Sequence, residues 1–151
     1  MNDAMNIENF AAADKKKVLA LLAAAELPIV DLTDEKMKNF MIAKGKEGSI
    51  IGVVGIEMYG DSGLLRSLAV DPAYRGRGLG RLLTRKIESF ARHRGTKALY
   101  LLTMTAADFF AKVGYQATQR DDLPAAIRQT EEFKNLCPIS AKCLFKVLGS
   151  A

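Results

Sequence analysis

The chain of 151 residues carries only two cysteines and one histidine, and that scarcity removes several kinds of protein at once. Cys137 and Cys143, with five residues between them, are too few for a disulfide scaffold. Without a second pair or a histidine cluster they do not make a closed zinc site, so no metal is expected. His93 stands alone on the polar side of a predicted helix and reads as a surface residue. No apolar run approaches the length of a membrane span. The opening MNDAMNIENF lacks the basic segment and apolar core of a signal peptide. No repeat, low-complexity tract or linker divides the chain. The expectation is one domain over residues 1–151, in the reducing cytoplasm, as a monomer or homodimer with no membrane partner.

What is present is ordinary for a soluble globular protein: 49% hydrophobic and 26% charged residues. The formal net charge of +5 admits an anionic partner. It does not choose between nucleic acid, a membrane surface and a phosphorylated small molecule.

Periodicity predicts a first strand over 5–10, then an alanine- and leucine-rich helix over 13–27 that Pro28 ends. A loop and short helix follow, with Thr33 or Asp31 as cap. Apolar, β-branched runs at 40–43 and 49–59 flank the KGKEG turn, and GDSG at 60–63 leads into a strand over 63–70. Leu79, Leu82, Leu83, Ile87 and Phe90 mark one helix face, closed by Gly95. ALYLLT (98–103) then reads as a buried strand parallel to its predecessor, because a helical crossover reaches it. A short helix ending at Gly114, a strand over 115–120, a helix from Asp122 to about Lys134 and a strand over 141–148 complete the chain. The fold class is α+β, in the order βαα-βββ-αβ-αβ-αβ, with helices covering both faces of a mixed, mainly antiparallel sheet.

The stretch RSLAVDPAYRGRGLGRLL (66–83) concentrates the chemistry. A strand, a proline turn and then glycines open a helix, whose first N–H groups lack partners and carry partial positive charge. Gly76, Gly78 and Gly80 lack the Cβ atoms that would hold phosphate oxygens away, and Arg75, Arg77 and Arg81 add charge. Glycine at a helix start otherwise sacrifices propensity, roughly 1 kcal/mol each at interior positions. A P-loop needs Lys-Ser/Thr after its last glycine, where Arg81-Leu82 stand. The dinucleotide fingerprint G-x-G-x-x-G needs glycine at 81. Single-strand nucleic-acid binding calls for interleaved aromatics, and only Tyr74 qualifies, so no nucleic-acid partner is expected.

Arg75-Gly76-Arg77-Gly78-Leu79-Gly80, directly after L-A-V-D-P, resembles the R-x-x-G-x-G signature of the GNAT superfamily of N-acetyltransferases. The strand order and the later FFAKVGY agree with that resemblance. It implies acetyl-CoA as co-substrate, the diphosphate held by Arg75 to Arg81, and the pantetheine arm paired with Leu68, Ala69 and Val70. It also implies a backbone N–H near Leu68 as donor to the thioester oxygen.

An attacking amine must lose a proton, and Glu57, near the end of its strand, either acts as base or simply faces solvent. Phe110 stands where many relatives have a tyrosine that protonates the departing thiolate, and Thr103 where they have asparagine. The resemblance leaves Phe110 to pack against the pantetheine arm or the core. A second reading follows from Phe110: a CoA-binding sensor or regulatory module without turnover.

LLRSLAV, LLTMTAADFF and the segment DLPAAIRQTEEFKNLCPISAKCL look like small bacterial members associated with arsenic resistance, themselves similar to N-acetylglutamate synthases. That resemblance implies an N-acetyltransferase acting on a small, amino-acid-like amine, a class that includes an organoarsenical analogue of glutamate. Arg66, inside an apolar strand, either binds an acceptor carboxylate by its planar fork or sits in a structural salt bridge or at a strand edge. Residues 27–32, with Leu27 and Ile29, would wall the acceptor site by analogy.

Overall fold

A computed structural model describes residues 6–136 and 138–149. The predicted start of the first strand at Met5 and any role of Cys137 lie outside the described residues. The elements are β1 (Asn6–Asn9), α1 (Lys15–Ala24), α2 (Asp34–Met37), β2 (Met41–Lys44), β3 (Ile50–Tyr59), β4 (Ser62–Val70) and α3 (Leu79–His93). After them come β5 (Ala98–Thr103), α4 (Ala107–Lys112), β6 (Gln116–Thr118), α5 (Ala125–Arg128) and β7 (Lys142–Val147). Their order is the expected one. The strands are arranged β1-β2-β3-β4-β5-β7-β6. β4 and β5 are parallel, as the helical crossover requires, and β1/β2, β2/β3, β5/β7 and β6/β7 are antiparallel.

The chain forms two compact units, residues up to Ile56 with Ser67–Ile87, and Glu57–Arg66 with the chain from Glu88 onward. In the first, Val18, Leu22, Leu32, Met37, Phe40, Ile42, Ile50, Val53 and Ala69 make the core. Gly52 and Gly55 permit its tight packing. A Cβ at Gly55 would stand 2.2 Å from the Phe40 ring, and one at Gly52 2.9 Å from Leu83. In the second, Leu64, Leu123, Ile127 and Cys143 cluster, with Tyr59, Tyr100, Leu102 and Phe133 against them.

Two helices differ from expectation. α1 stops at Ala24 rather than Leu27, before Pro28 can act, because Glu26 turns left-handed (φ 62). The Leu27 N–H then bonds back to Leu22 O at 3.0 Å, a helix-ending arrangement. The helix expected from Asp122 to Lys134 is instead α5 followed by a π-helical turn over Glu132–Leu136, and Asp122 lies in the preceding 3₁₀ turn. Thr130 breaks it: its hydroxyl donates to Ile127 O at 2.7 Å and accepts from Phe133 N–H, competing with the backbone ladder. Thr33 caps α2 through Lys36 N–H, while Asp31 binds the Lys36 ammonium at 2.9 Å.

Candidate active site

The loop between β4 and α3 is assembled by local bonds. Asp71 accepts from Ala73 N–H at 2.9 Å, starting the 3₁₀ turn Pro72–Tyr74. Arg75 Nε donates to Val70 O at 3.3 Å, and the Arg77 guanidinium lies 5.2 Å from the Tyr74 ring centre. Gly76 and Gly78 have φ of 81° and 82°, a region glycine enters without steric cost. A Cβ at either would meet nothing within 4 Å, so the space beside both glycines is open. The first intrahelical bond of α3 runs from Leu82 N–H to Gly78 O at 3.0 Å. The N–H groups of Leu79, Gly80 and Arg81 therefore precede the helical ladder. Leu79 is buried and anchors the turn, whereas Arg75, Arg77 and Arg81 are exposed. Open glycines, a fifteen-residue helix start and three exposed guanidinium groups fit the diphosphate of a CoA.

β4 pairs with β5 only from Ser62↔Ala98 to Leu64↔Tyr100, the first three of its nine residues. Just beyond, buried Ser67 adopts φ 62 within the strand. A non-glycine residue in that region costs on the order of 1 kcal/mol and breaks the alternation of the strand. Leu68, Ala69 and Val70 follow this kink.

Glu57 does not face solvent. It is 7% exposed, and both of its carboxylate oxygens have donors. The Tyr59 hydroxyl donates to Oε1, and Arg66 Nη1 donates to Oε2 at 2.7 Å. Arg66 Nε also lies 3.8 Å from Glu132 Oε1, and the Arg66 side chain is wholly buried. The structure thus joins two residues that the sequence treats separately, the candidate base and the candidate carboxylate binder. Tyr59 and Glu132 are the residues sequence reasoning missed. Tyr59 had a signal, since residues two apart on a strand share a face. Glu132 had none, because a continuous helix was expected there.

Phe110 is buried, edge-to-face with Phe109 at 5.1 Å and Tyr115 at 5.4 Å. The Tyr115 hydroxyl donates to Glu88 at 2.8 Å, and Lys146 Nζ binds both Glu88 oxygens at 3.1 and 3.2 Å and Val113 O at 3.0 Å. Burial, reinforced by the Glu88 carboxylate, pushes the Tyr115 phenol far above its usual range. Thr103, in the family's asparagine position, accepts from Ala106 N–H at 2.9 Å ahead of α4. Leu27 and Ile29 are half-buried against the core of the first unit. Cys143 is a buried free thiol whose pKa is raised by burial, with Arg120 acting in the opposite direction. His93 is exposed and bonds along its own helix, to Ser89 O at 2.8 Å. Among the described residues, no group of three metal-ligating side chains occurs and no helix is long and apolar enough to cross a membrane.

The glycine cradle between a kinked strand and a helix defines a class, and comparison with known proteins agrees. Residues 7–115 match the Acetyltransferase (GNAT) family, and the chain belongs to it. An amino-acid acetyltransferase of Pseudomonas fluorescens is 32% identical over 116 residues, 76% of this chain and 27% of its own length. That of Pseudomonas aeruginosa is 34% identical over the same shares. The chain thus spans little more than a quarter of these relatives. The N-acetylglutamate synthase of Neisseria gonorrhoeae, solved with coenzyme A and N-acetyl-glutamate, superposes with a TM-score of 0.85. The match covers 99% of this chain and 36% of that one at 22% identity, a likeness of fold. Rv2747 of Mycobacterium tuberculosis, solved with CoA and NLQ, gives 0.80 at 20% identity over 95% and 99% of the two chains.

Proposed function

We propose that this chain is an acetyl-CoA-dependent N-acetyltransferase for the amine of a small, amino-acid-like substrate. The observation that carries the reading is the open loop of Gly76 and Gly78 at the start of α3, interleaved in the chain with exposed Arg75, Arg77 and Arg81. The names of the relatives support the substrate class: amino-acid acetyltransferases in Pseudomonas, and a synthase crystallised with N-acetyl-glutamate. β3, β4 and α3 each contribute to both compact units, which supports one working domain.

When bound, the co-substrate supplies a thioester carbonyl as acetyl donor. The backbone amides of residues 79–81 and the three arginines hold its diphosphate. Leu68, Ala69 and Val70, beyond the short β4/β5 ladder, offer backbone groups to the pantetheine arm, with the Leu68 N–H as a pre-set donor to the carbonyl oxygen. Glu57 takes the proton of the amine, directly or through water. We assign Arg66 to holding Glu57, because its guanidinium already faces two carboxylates. Leu27 and Ile29 line the acceptor side. Phe110 has no acidic proton to give, so the departing thiolate would leave unassisted by it; an ordinary thiol pKa of about 8.5 makes that tolerable near neutral pH.

The test is thiol release from acetyl-CoA with a panel of amino acids, including an organoarsenical analogue of glutamate. Release with one or more amines is expected. Thermal stabilisation by acetyl-CoA without release for any amine would favour the sensor reading that Phe110 motivates. No stabilisation by acetyl-CoA at all would overturn both.

A further inference from the structure

We propose that Tyr59 and Glu132 are positioning residues for Glu57, Tyr59 acting on its carboxylate directly and Glu132 through Arg66. The inference rests on the acetyltransferase reading with Glu57 as base. A base must present one oxygen lone pair to the amine in a fixed direction. A glutamate side chain has three rotatable bonds, and one donor leaves its carboxylate free to swing about that contact. Two donors on different oxygens remove that freedom. Here the Tyr59 hydroxyl holds Oε1 and Arg66 Nη1 holds Oε2 at 2.7 Å.

The position of Arg66 is in turn constrained by Glu132. Its planar guanidinium offers Nη1 to Glu57, and its Nε faces Glu132 Oε1 at 3.8 Å, with all three side chains at most 6% exposed. At that burial the attraction is poorly screened, so the Glu132 charge helps set where the guanidinium stands. Glu132 sits on the π-helical turn Glu132–Leu136, an uncommon local form that often accompanies functional sites. The Tyr59 ring packs on the Leu64, Leu123, Ile127 and Cys143 cluster, so its position does not depend on the hydroxyl.

Tyr59→Phe therefore removes one oxygen and keeps the packing. With an amine that the wild type acetylates, kcat should fall about 10- to 100-fold in Tyr59→Phe and in Glu132→Gln. The KM for acetyl-CoA and the stabilisation by acetyl-CoA should stay within about twofold, since neither residue holds the co-substrate. Glu132→Asp, which keeps the charge, should recover most of the lost turnover. In a Glu57→Gln background, neither substitution should lower kcat further, because no base remains to be aimed. Equal fold-losses with and without Glu57 would overturn the proposal, as would unchanged kcat in Tyr59→Phe. Wild-type turnover in the same assay tests the acetyltransferase reading separately.

Discussion

Arg66 Nη1 lies 2.7 Å from Glu57 Oε2, and neither side chain has more than 6% of its surface in water. In sequence the two are nine residues apart, on either side of a turn, and each invites its own functional role. Their contact makes them one device: the guanidinium fixes the carboxylate that is assigned the proton transfer. Removing one partner of a buried pair leaves an uncompensated charge, at a cost of about 3–5 kcal/mol. Arg66→Ala should lose stability of that order in denaturant unfolding. Arg66→Lys, which keeps the charge but not the planar fork, should lose less stability and still reduce turnover.

Glu57→Gln tests the chemistry while keeping the shape of the buried pair. The amide keeps the shape of the side chain but cannot take a proton, so kcat should fall on the order of 100-fold while acetyl-CoA affinity is nearly unchanged. Steady-state kinetics with calorimetric titration of CoA checks both halves. Unchanged turnover would remove Glu57 as the base.

Gly78 separates conformation from space. With φ at 82° and nothing within 4 Å of where a Cβ would stand, Gly78→Ala meets no clash but costs about 1–2 kcal/mol of backbone strain. Gly78→Glu adds bulk and negative charge where the diphosphate is proposed to sit. The alanine variant should bind acetyl-CoA more weakly, and the glutamate variant should show no acetyl-CoA stabilisation in a thermal shift.

Gly55 tests packing alone. A Cβ there would lie 2.2 Å from Phe40, which is fully buried. Gly55→Ala should destabilise the chain by about 1–3 kcal/mol, the usual range for an overfilled core. Phe40→Leu in the same chain should recover part of the loss, a non-additivity that urea unfolding would reveal.

Tyr115 gives the chain a signature in alkali. Its folded pKa lies far above the unfolded one, through burial first and the Glu88 carboxylate second. Below about pH 10 both states keep the proton, and the stabilising contribution is fully present. Above that the unfolded chain releases its proton while the folded chain does not, so stability falls as pH rises, by up to about 1.4 kcal/mol per pH unit. Tyr115→Phe should flatten that fall; an unchanged slope between about pH 10 and 11 would contradict it.

Much of this protein is legible along the chain, where the physics is local. The leucine spacing after Leu79, the turn chemistry of Asp71-Pro72 and the alternate glycines at 76, 78 and 80 specify a strand, a turn and a helix start. They do so because periodicity and φ freedom are properties of neighbouring residues. The parallel β4/β5 pair follows equally from the crossover between them. Local reading fails where a competing bond or a distant partner decides. Glu26 ends α1 before Pro28, and the Thr130 hydroxyl divides the helix expected from Asp122.

The union of Tyr59, Glu57, Arg66 and Glu132 belongs to the second kind. Which carboxylate a buried arginine meets depends on how strands and a later helical turn pack, and no spacing encodes it. The sequence by itself determined the order of elements and the glycine- and arginine-rich turn into α3, both built from neighbours in the chain. Only the tertiary structure decided that Glu57, the proposed base, has its two oxygens held by donors from different residues, because desolvated charges must find partners wherever the fold brings them.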